Sequence, residues 1–320
     1  MGSRLLLMTS AISRVASSEN LAQEAFRLKA PSFVPTRIYF GHGSSRFFMS
    51  VLNALLKEHG GQKILLITGG LNSRKYWMEM FDREISSLDH VIVRNAISNP
   101  TLDSVGEALD TARNENVDTV VAVGGGSVLD TGKAVAALAR SSLSIEEALA
   151  RKTVSDDPLT YLAVPATSGT GSEVTSYATI WDDKAKAKHS LSNASIYPAA
   201  AIIDPSLCVT MPPEIAAGTG LDALSHAMES CWSINSTDES IGIGLSAIEL
   251  LMENLEKSVA APNDTLAVAN VSKASLFAGM SIAQGQTTIS HAISYPLTVR
   301  YDIHHGHACG STVGSLLQYN

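Results

Sequence analysis

A change of kind near Pro205 constrains this 320-residue chain more than any other feature. From about residue 35 to 205, short β-rich runs alternate with helical patterns: "RIYFG", "KILLIT", "HVIVR", "DTVVAVGGG", "LTYLAVP" and "AAIIDP". Strands separated by helices predict a mainly parallel, Rossmann-like sheet covered on both faces. Beyond Pro205 the strand signals stop, and "PPEIAAGTGLDALSHAMESCW", "IGIGLSAIELLMENLEKSVA", "LAVANVSKASLFAGMSI" and "ISHAISYPL" have helical length and period. The expected organisation is an N-terminal arm over residues 1–34, an α/β domain over 35–207 and an all-helical domain over 208–320, parted within "DPSLCVTMPP".

A hydrophobic content of 45% suits well-buried cores of this size. The formal net charge of −8 offers no basic face for a phosphate backbone, which argues against nucleic acid as a partner. Cys208, Cys231 and Cys309 are widely spaced and form no CxxC, so reduced thiols and a cytoplasmic location are expected. No apolar run approaches the ~18 residues of a membrane-spanning helix, so no membrane partner is expected. Arg4, Arg14 and several serines precede the first acid, Glu19. That composition fits an organelle transit peptide and equally an expression remnant followed by a natural arm.

Two turns carry the first chemistry. In "VVAVGGGSVLDTGK", Gly124, Gly125 and Gly126 link a buried strand to a helix, where bare amides and the helix N-terminus can hold a phosphate. The motif is neither GxGxxG, since Leu129 stands at the third glycine, nor a Walker loop. Ser127 and Asp130 also fit a capping box with no ligand. In "VPATSGTGSEVTSYA", Thr167, Ser168, Thr170, Ser172 and Thr175 surround two glycines after another strand end, where hydroxyls suit a dinucleotide and ordinary turn chemistry competes as the explanation.

The helical half carries the second chemistry. Asp222 and His226 interrupt an otherwise apolar helix one turn apart, so their side chains can converge. They suit a hydrogen-bonded core pair, or half of a metal site completed from elsewhere. His291 and the cluster His304, His305 and His307 offer further imidazoles for a divalent cation.

"GGGSVLDTGK", "VPATSGTGSEVT", "IIDPSL", "MPPEIAAGTGLDALSHAMES" and "HHGHACG", in this order, resemble the iron-containing (group III) alcohol dehydrogenases from about residue 35 onward. The resemblance implies a dehydroquinate synthase-like fold and a reversible conversion of aldehyde and primary alcohol with NADPH or NADH. It also implies Fe(II), with zinc equally compatible, and a homo-oligomer. Carried over residue by residue, it puts the metal ligands at Asp222, His226, His291 and His305. The pyrophosphate falls on Gly124, Gly125, Gly126 and Ser127, with Asp130 beside them. Thr167, Ser168 and Thr175 fall in the second cofactor loop, Lys188 beside the nicotinamide ribose, and Asn99 and Pro100 on the adenine side.

Departures from the pattern refine this. Gly69 stands where many members carry the Asp that repels a 2′-phosphate, and Arg74 and Lys75 follow, so NADPH is expected to be accepted. Tyr295 replaces a histidine implicated in proton exchange, which points to a pocket role for the phenol. Thr287, Thr288 and Ser290 before His291 suggest a polar, oxyanion-bearing substrate, with Arg300 or His304 as its counter-charge. This stretch resembles the phosphonoacetaldehyde reductase branch, which forms 2-hydroxyethylphosphonate. Members also continue for several helices past the His-Gly pair, so a chain cut short on the substrate side of the cleft is expected. The rival readings are a glycerol dehydrogenase or dehydroquinate synthase-like enzyme of the same fold, and a catalytically silent paralogue. The D-x-x-x-H helix and the full ligand set weigh against them.

Overall fold

The computed structural model describes residues 26–69, 75–94 and 99–320, with the side chains of 75–78 outside the description. The α/β domain runs β1 (Arg27–Leu28), β2 (Arg37–Phe40), α1 (Phe48–His59), β3 (Lys63–Thr68), α2 (Lys75–Ile85), β4 (Asp89–Arg94) and α3 (Leu102–Asn114). It continues with β5 (Thr119–Gly124), α4 (Gly126–Leu138), α5 (Ile145–Arg151), β6 (Thr160–Pro165), β7 (Tyr177–Asp182), β8 (Ala187–Ser192) and β9 (Ala200–Ile203). Strand order is β1-β2-β9-β6-β5-β3-β4, parallel throughout except for β1 against β2.

Alternation along the strands explains the two covered faces. Leu65, Ile67, Val120, Ala122 and Ala163 pack against Val105 and Leu109 of α3 and Val135 of α4. Their neighbours Ile64, Leu66, Val121, Val123, Leu162 and Val164 pack on the other face against Phe48 and Leu52 of α1 and Phe81 of α2. The central strands β3, β5 and β6 are thus apolar through their middle positions, as a sheet buried on both sides requires. From β4 the chain crosses back over β3 to β5, so strand order reverses between β3 and β5. The carboxyl ends there, at Thr68 and Gly124, flank the crevice where ligands bind in open α/β sheets.

Two elements differ from expectation. Arg27 and Leu28, expected in a free arm, pair with Tyr39 and Ile38 and extend the sheet edge. The polar stretch "YATIWDDKAKAKHSLS" forms the antiparallel hairpin β7–β8 outside the main sheet. Trp181 donates its backbone N–H to the Pro100 carbonyl (2.8 Å), tying the hairpin to the turn that holds Asn99.

After the short helical turn Pro205–Leu207 only helices follow: α6 (Pro213–Trp232), α7 (Asp238–Ala260), α8 (Thr265–Gly285), α9 (Ile289–Tyr301) and α10 (His305–Tyr319). Small residues set their close packing: Ala223 and Ala227 of α6 meet Ala247 and Leu251 of α7 and Val271, Ala274 and Ala278 of α8. Contrary to the sequence expectation, α8 is long and apolar enough to cross a membrane by length and composition, but 67% of its apolar window is buried within the protein. The domains meet where Ile38, Ala201 and Ile203 of the sheet pack on Ile243, Leu276 and Met280. At this seam Gly171 (φ +62°) lies directly against the Gly279 backbone, and a Cβ on either would overlap the other.

Candidate metal and dinucleotide sites

The imidazoles expected to converge do so around one carboxylate. Asp222 and His226 share a face of α6, His291 comes from the first turn of α9, and His305 opens α10. The Nε2 atoms of His226, His291 and His305 lie 3.7, 3.5 and 3.8 Å from the same oxygen, Asp222 Oδ1. His226 and His291 are stacked with centroids 4.6 Å apart, and His291 meets His305 edge-on at 5.4 Å.

Asp222 Oδ1 and His291 Nε2 are buried and have no hydrogen-bond partner. Such orphans are costly unless something else satisfies them. Donors bound to one ion at ~2.0–2.2 Å stand roughly 3–3.6 Å from one another, close to the spacing found. The residues present therefore fit a divalent ion.

Electrostatics agree with that geometry. Burial would raise the Asp222 carboxyl, but His226, His291 and His305 outweigh it and hold the carboxyl well below the usual range. Burial lowers His226 to about 4 and His305 to about 3, in both cases against the pull of Asp222. His291 moves the other way: burial lowers it, but the neighbouring Asp222, Cys309 and Glu229 raise it well above the ordinary value.

Sequence reasoning missed Glu229. Fully buried on α6, it accepts from His291 Nδ1, from the backbone N–H groups of Thr288 (3.1 Å) and Ser290 (2.6 Å), and from the Thr288 hydroxyl (2.7 Å). A carboxylate on the far nitrogen of a ligating imidazole fixes its ring and tautomer. The available signal was spacing: Glu229 lies three residues past His226 and seven past Asp222, on the same helix face. Cys309, also missed, stands one turn beyond His305, with Sγ 3.9 Å from His305 Nε2.

Part of the hydroxyl set read for the substrate has protein partners. The Thr288 hydroxyl donates to Glu229 and accepts from Trp232 Nε1 (2.9 Å), and Ser290 donates to the Cys309 carbonyl (2.9 Å), so both serve the protein. Thr287 is half-buried, and Arg300 is exposed at the end of α9. His304 and His307 face each other, with centroids 5.3 Å apart. Tyr295 is half-buried and stacks at 6.1 Å on His305, while Lys188 from the hairpin places its Nζ 3.9 Å from the Tyr295 centroid.

At the sheet edge the alternative capping box of Ser127 and Asp130 is absent, because α4 starts two residues earlier than it requires. Its N-cap is Gly125, with no side-chain cap bond and no acid in the first turn. By contrast, Thr101, Ser144, Thr237 and Asp264 cap α3, α5, α7 and α8. The uncapped positive end is the feature an anion needs. Gly126 is held against the second loop, where a Cβ would overlap Thr170, and Gly125 approaches Thr167. Gly69 and half-buried Asn99 lie after β3 and before α3.

Three side chains expected at the cofactor have hydrogen-bond partners within the protein. Ser168 shares a hydrogen bond with Ser272 of α8 (2.8 Å), and Thr175 accepts from the buried Lys133 amine (3.0 Å). Asp130 accepts from the Ser172 hydroxyl (2.6 Å) and the Thr179 N–H (2.8 Å). They brace the loop because hydroxyls and a carboxylate this deep require partners. Arg74 and the Lys75 side chain lie outside the described residues.

The pairing of an anion-ready sheet edge with a carboxylate–imidazole cage sets the class: an α/β domain with a candidate dinucleotide turn, joined to a helical domain with a candidate metal cage. The sequence profile for iron-containing alcohol dehydrogenase matches residues 35–205, and that for the Fe-containing alcohol dehydrogenase family, C-terminal, matches residues 216–320. The chain belongs to the iron-containing alcohol dehydrogenase family.

Among its relatives, the phosphonoacetaldehyde reductase of Streptomyces viridochromogenes is 40% identical over 72% of this chain and 60% of its own. The NAD-dependent methanol dehydrogenase of Bacillus methanolicus is 32% identical over 86% and 71%. The sulfoacetaldehyde reductase of Bifidobacterium kashiwanohense, solved with NAD+, superposes with a TM-score of 0.84 at 29% identity, over 92% of this chain and 77% of that one. An iron-containing alcohol dehydrogenase of Thermotoga maritima gives 0.80 at 33%, over 89% and 77%. The chain thus spans less than two thirds of the phosphonoacetaldehyde reductase.

Proposed function

We propose that this chain interconverts an aldehyde and a primary alcohol at a metal centre, using NADPH or NADH. The observation that carries the proposal is the convergence of three imidazole nitrogens within 3.5–3.8 Å of the unpartnered Asp222 Oδ1. When bound, an Fe(II) or zinc ion supplies Lewis acidity toward a carbonyl or alkoxide oxygen, and the dinucleotide supplies the hydride.

The chain's own residues do the remaining work. The amide-lined turn at Gly124 to Ser127 and the uncapped end of α4 bind the pyrophosphate, and Thr167 borders it. Glu229 holds the His291 ring so that Nε2 faces Asp222. Lys188 and Tyr295 bring the hairpin over His305, where the phenol can pass a proton to or from the substrate oxygen.

For substrate we propose a short aldehyde carrying an oxyanion. The phosphonoacetaldehyde and sulfoacetaldehyde reductases among the relatives support that class, and the Lys188 charge beside Tyr295 supports it independently. Gly69, which leaves the ribose side without a carboxylate, supports acceptance of NADPH. A homo-oligomer is part of the same proposal, supported by the exposed Leu245, Met252, Tyr301 and Tyr319 and checked by light scattering. The deciding experiment loads the protein with iron or zinc. It then follows NADPH and NADH oxidation with phosphonoacetaldehyde, succinic semialdehyde and unbranched short aldehydes. Preference for the phosphonate is expected; turnover of none of them by metal-loaded protein refutes the proposal.

A further inference from the structure

Cys309 sits where the metal reading gives it a role. One donor atom each from Asp222, His291, His305 and Cys309 lies within 4.8 Å of every other. Cys309 is fully buried, and an i, i+4 relation to His305 puts both side chains on one face of α10. The Ser290 hydroxyl, donating to the Cys309 carbonyl, ties that turn to the residue before His291. The unpartnered atoms Asp222 Oδ1 and His291 Nε2 belong to side chains 4% and 2% exposed and face the same small space.

We propose that Cys309 is a sulfur donor to the ion held by Asp222, His291 and His305. His226 and Cys309 then offer a nitrogen and a sulfur for the remaining coordination. The inference rests on the metal-centre reading. On binding, the S–H bond breaks, a metal–sulfur bond forms and the proton passes to buffer, with no change of oxidation state. A thiolate beside two imidazoles and a carboxylate favours thiophilic ions such as Zn2+, Cd2+ and Co2+ over Mg2+ and Mn2+. The cage therefore discriminates among ions through a residue outside the four carried over from the family. A cysteine that merely fills space would leave that choice unchanged.

The test uses the full chain, stripped with a chelator and titrated with Co2+. Wild type is expected to develop a thiolate-to-cobalt charge-transfer band in the near ultraviolet, saturating at one ion per chain. Cys309→Ser is expected to lose the band while still binding cobalt, and Cys208→Ser and Cys231→Ser to keep it. Cobalt bound without the band in wild type, or with the same band in Cys309→Ser, overturns the role of sulfur alone. No cobalt bound at all overturns the metal centre as well. Should Cys309→Ser not fold, Cys309→Ala read by competition between Cd2+ and Mn2+ decides. The preference for Cd2+ should drop by roughly tenfold or more, the scale on which outer partners of a metal site already act; an unchanged ratio overturns the inference.

Discussion

The two halves of the site solve the same problem with opposite materials. At the sheet edge it is the main chain that is left open for a ligand, while Ser168, Thr175 and Asp130 hold the loops. In the helical domain the side chains themselves converge, and three of their atoms, Asp222 Oδ1, His226 Nδ1 and His291 Nε2, are left unsatisfied. A site made of side chains should fail abruptly when one is removed, whereas a site made of backbone should weaken as its packing is disturbed.

The largest effect is therefore expected in the cage. Asp222→Ala should lower metal affinity by more than the ~10–100-fold that loss of an outer partner costs, and activity should fall with it. Metal content by elemental analysis checks this; a variant retaining one ion per chain would break the contrast. Glu229→Gln should come next. It keeps the shape but removes the charge on His291 Nδ1, and a loss of about 10–100-fold in metal affinity is expected.

Gly126→Ala probes the backbone half. The added methyl overlaps Thr170, so about 1–3 kcal/mol of stability should be lost and the KM for the dinucleotide should rise, with metal content unchanged. Denaturant titration and steady-state kinetics read the two separately. If metal content fell as well, the halves would not be independent.

The smallest effect concerns the braces. Glu173, buried in the second loop, is pushed up from 4.5 to about 7 by burial. The folded chain therefore binds this proton more tightly than the unfolded chain does. Its contribution to stability is fully present below about 4.5 and is lost as pH rises through about 7. Glu173→Gln should accordingly lose less Tm than wild type between those two pH values. Parallel Tm profiles would show that burial does not perturb this group. Lys133, lowered by burial to about 8, titrates above most of that window.

Legibility in the sequence followed the same division. All six strand runs became strands, because burial on both faces fills their middle positions with apolar residues. The β7–β8 hairpin was not legible, since its second strand, "AKHSLS", is partly exposed and carries no apolar alternation. Asp222 and His226 stood out because charged and ring side chains on an apolar helix face are unusual, whereas His291 and His305 were singled out among the later histidines only through the family resemblance. Glu229 did not, because near the end of α6 a glutamate also suits a solvated surface, and only tertiary contact with α9 shows otherwise. The hydroxyls of the second loop could not be assigned from composition: the same Ser and Thr residues serve a ligand or a buried partner, and their partners on α4 and α8 come from tertiary packing. Gly126 was read for phosphate, yet contact with Thr170 alone already requires it to be glycine.

The meeting of Gly171 and Gly279 limits what can be exchanged between the two domains. With only hydrogens between the main chains, neither position tolerates a substitution unless the other strand of protein moves away. A chimera that joined this sheet to foreign helices would need both residues matched as a unit, however well its remaining surface fitted.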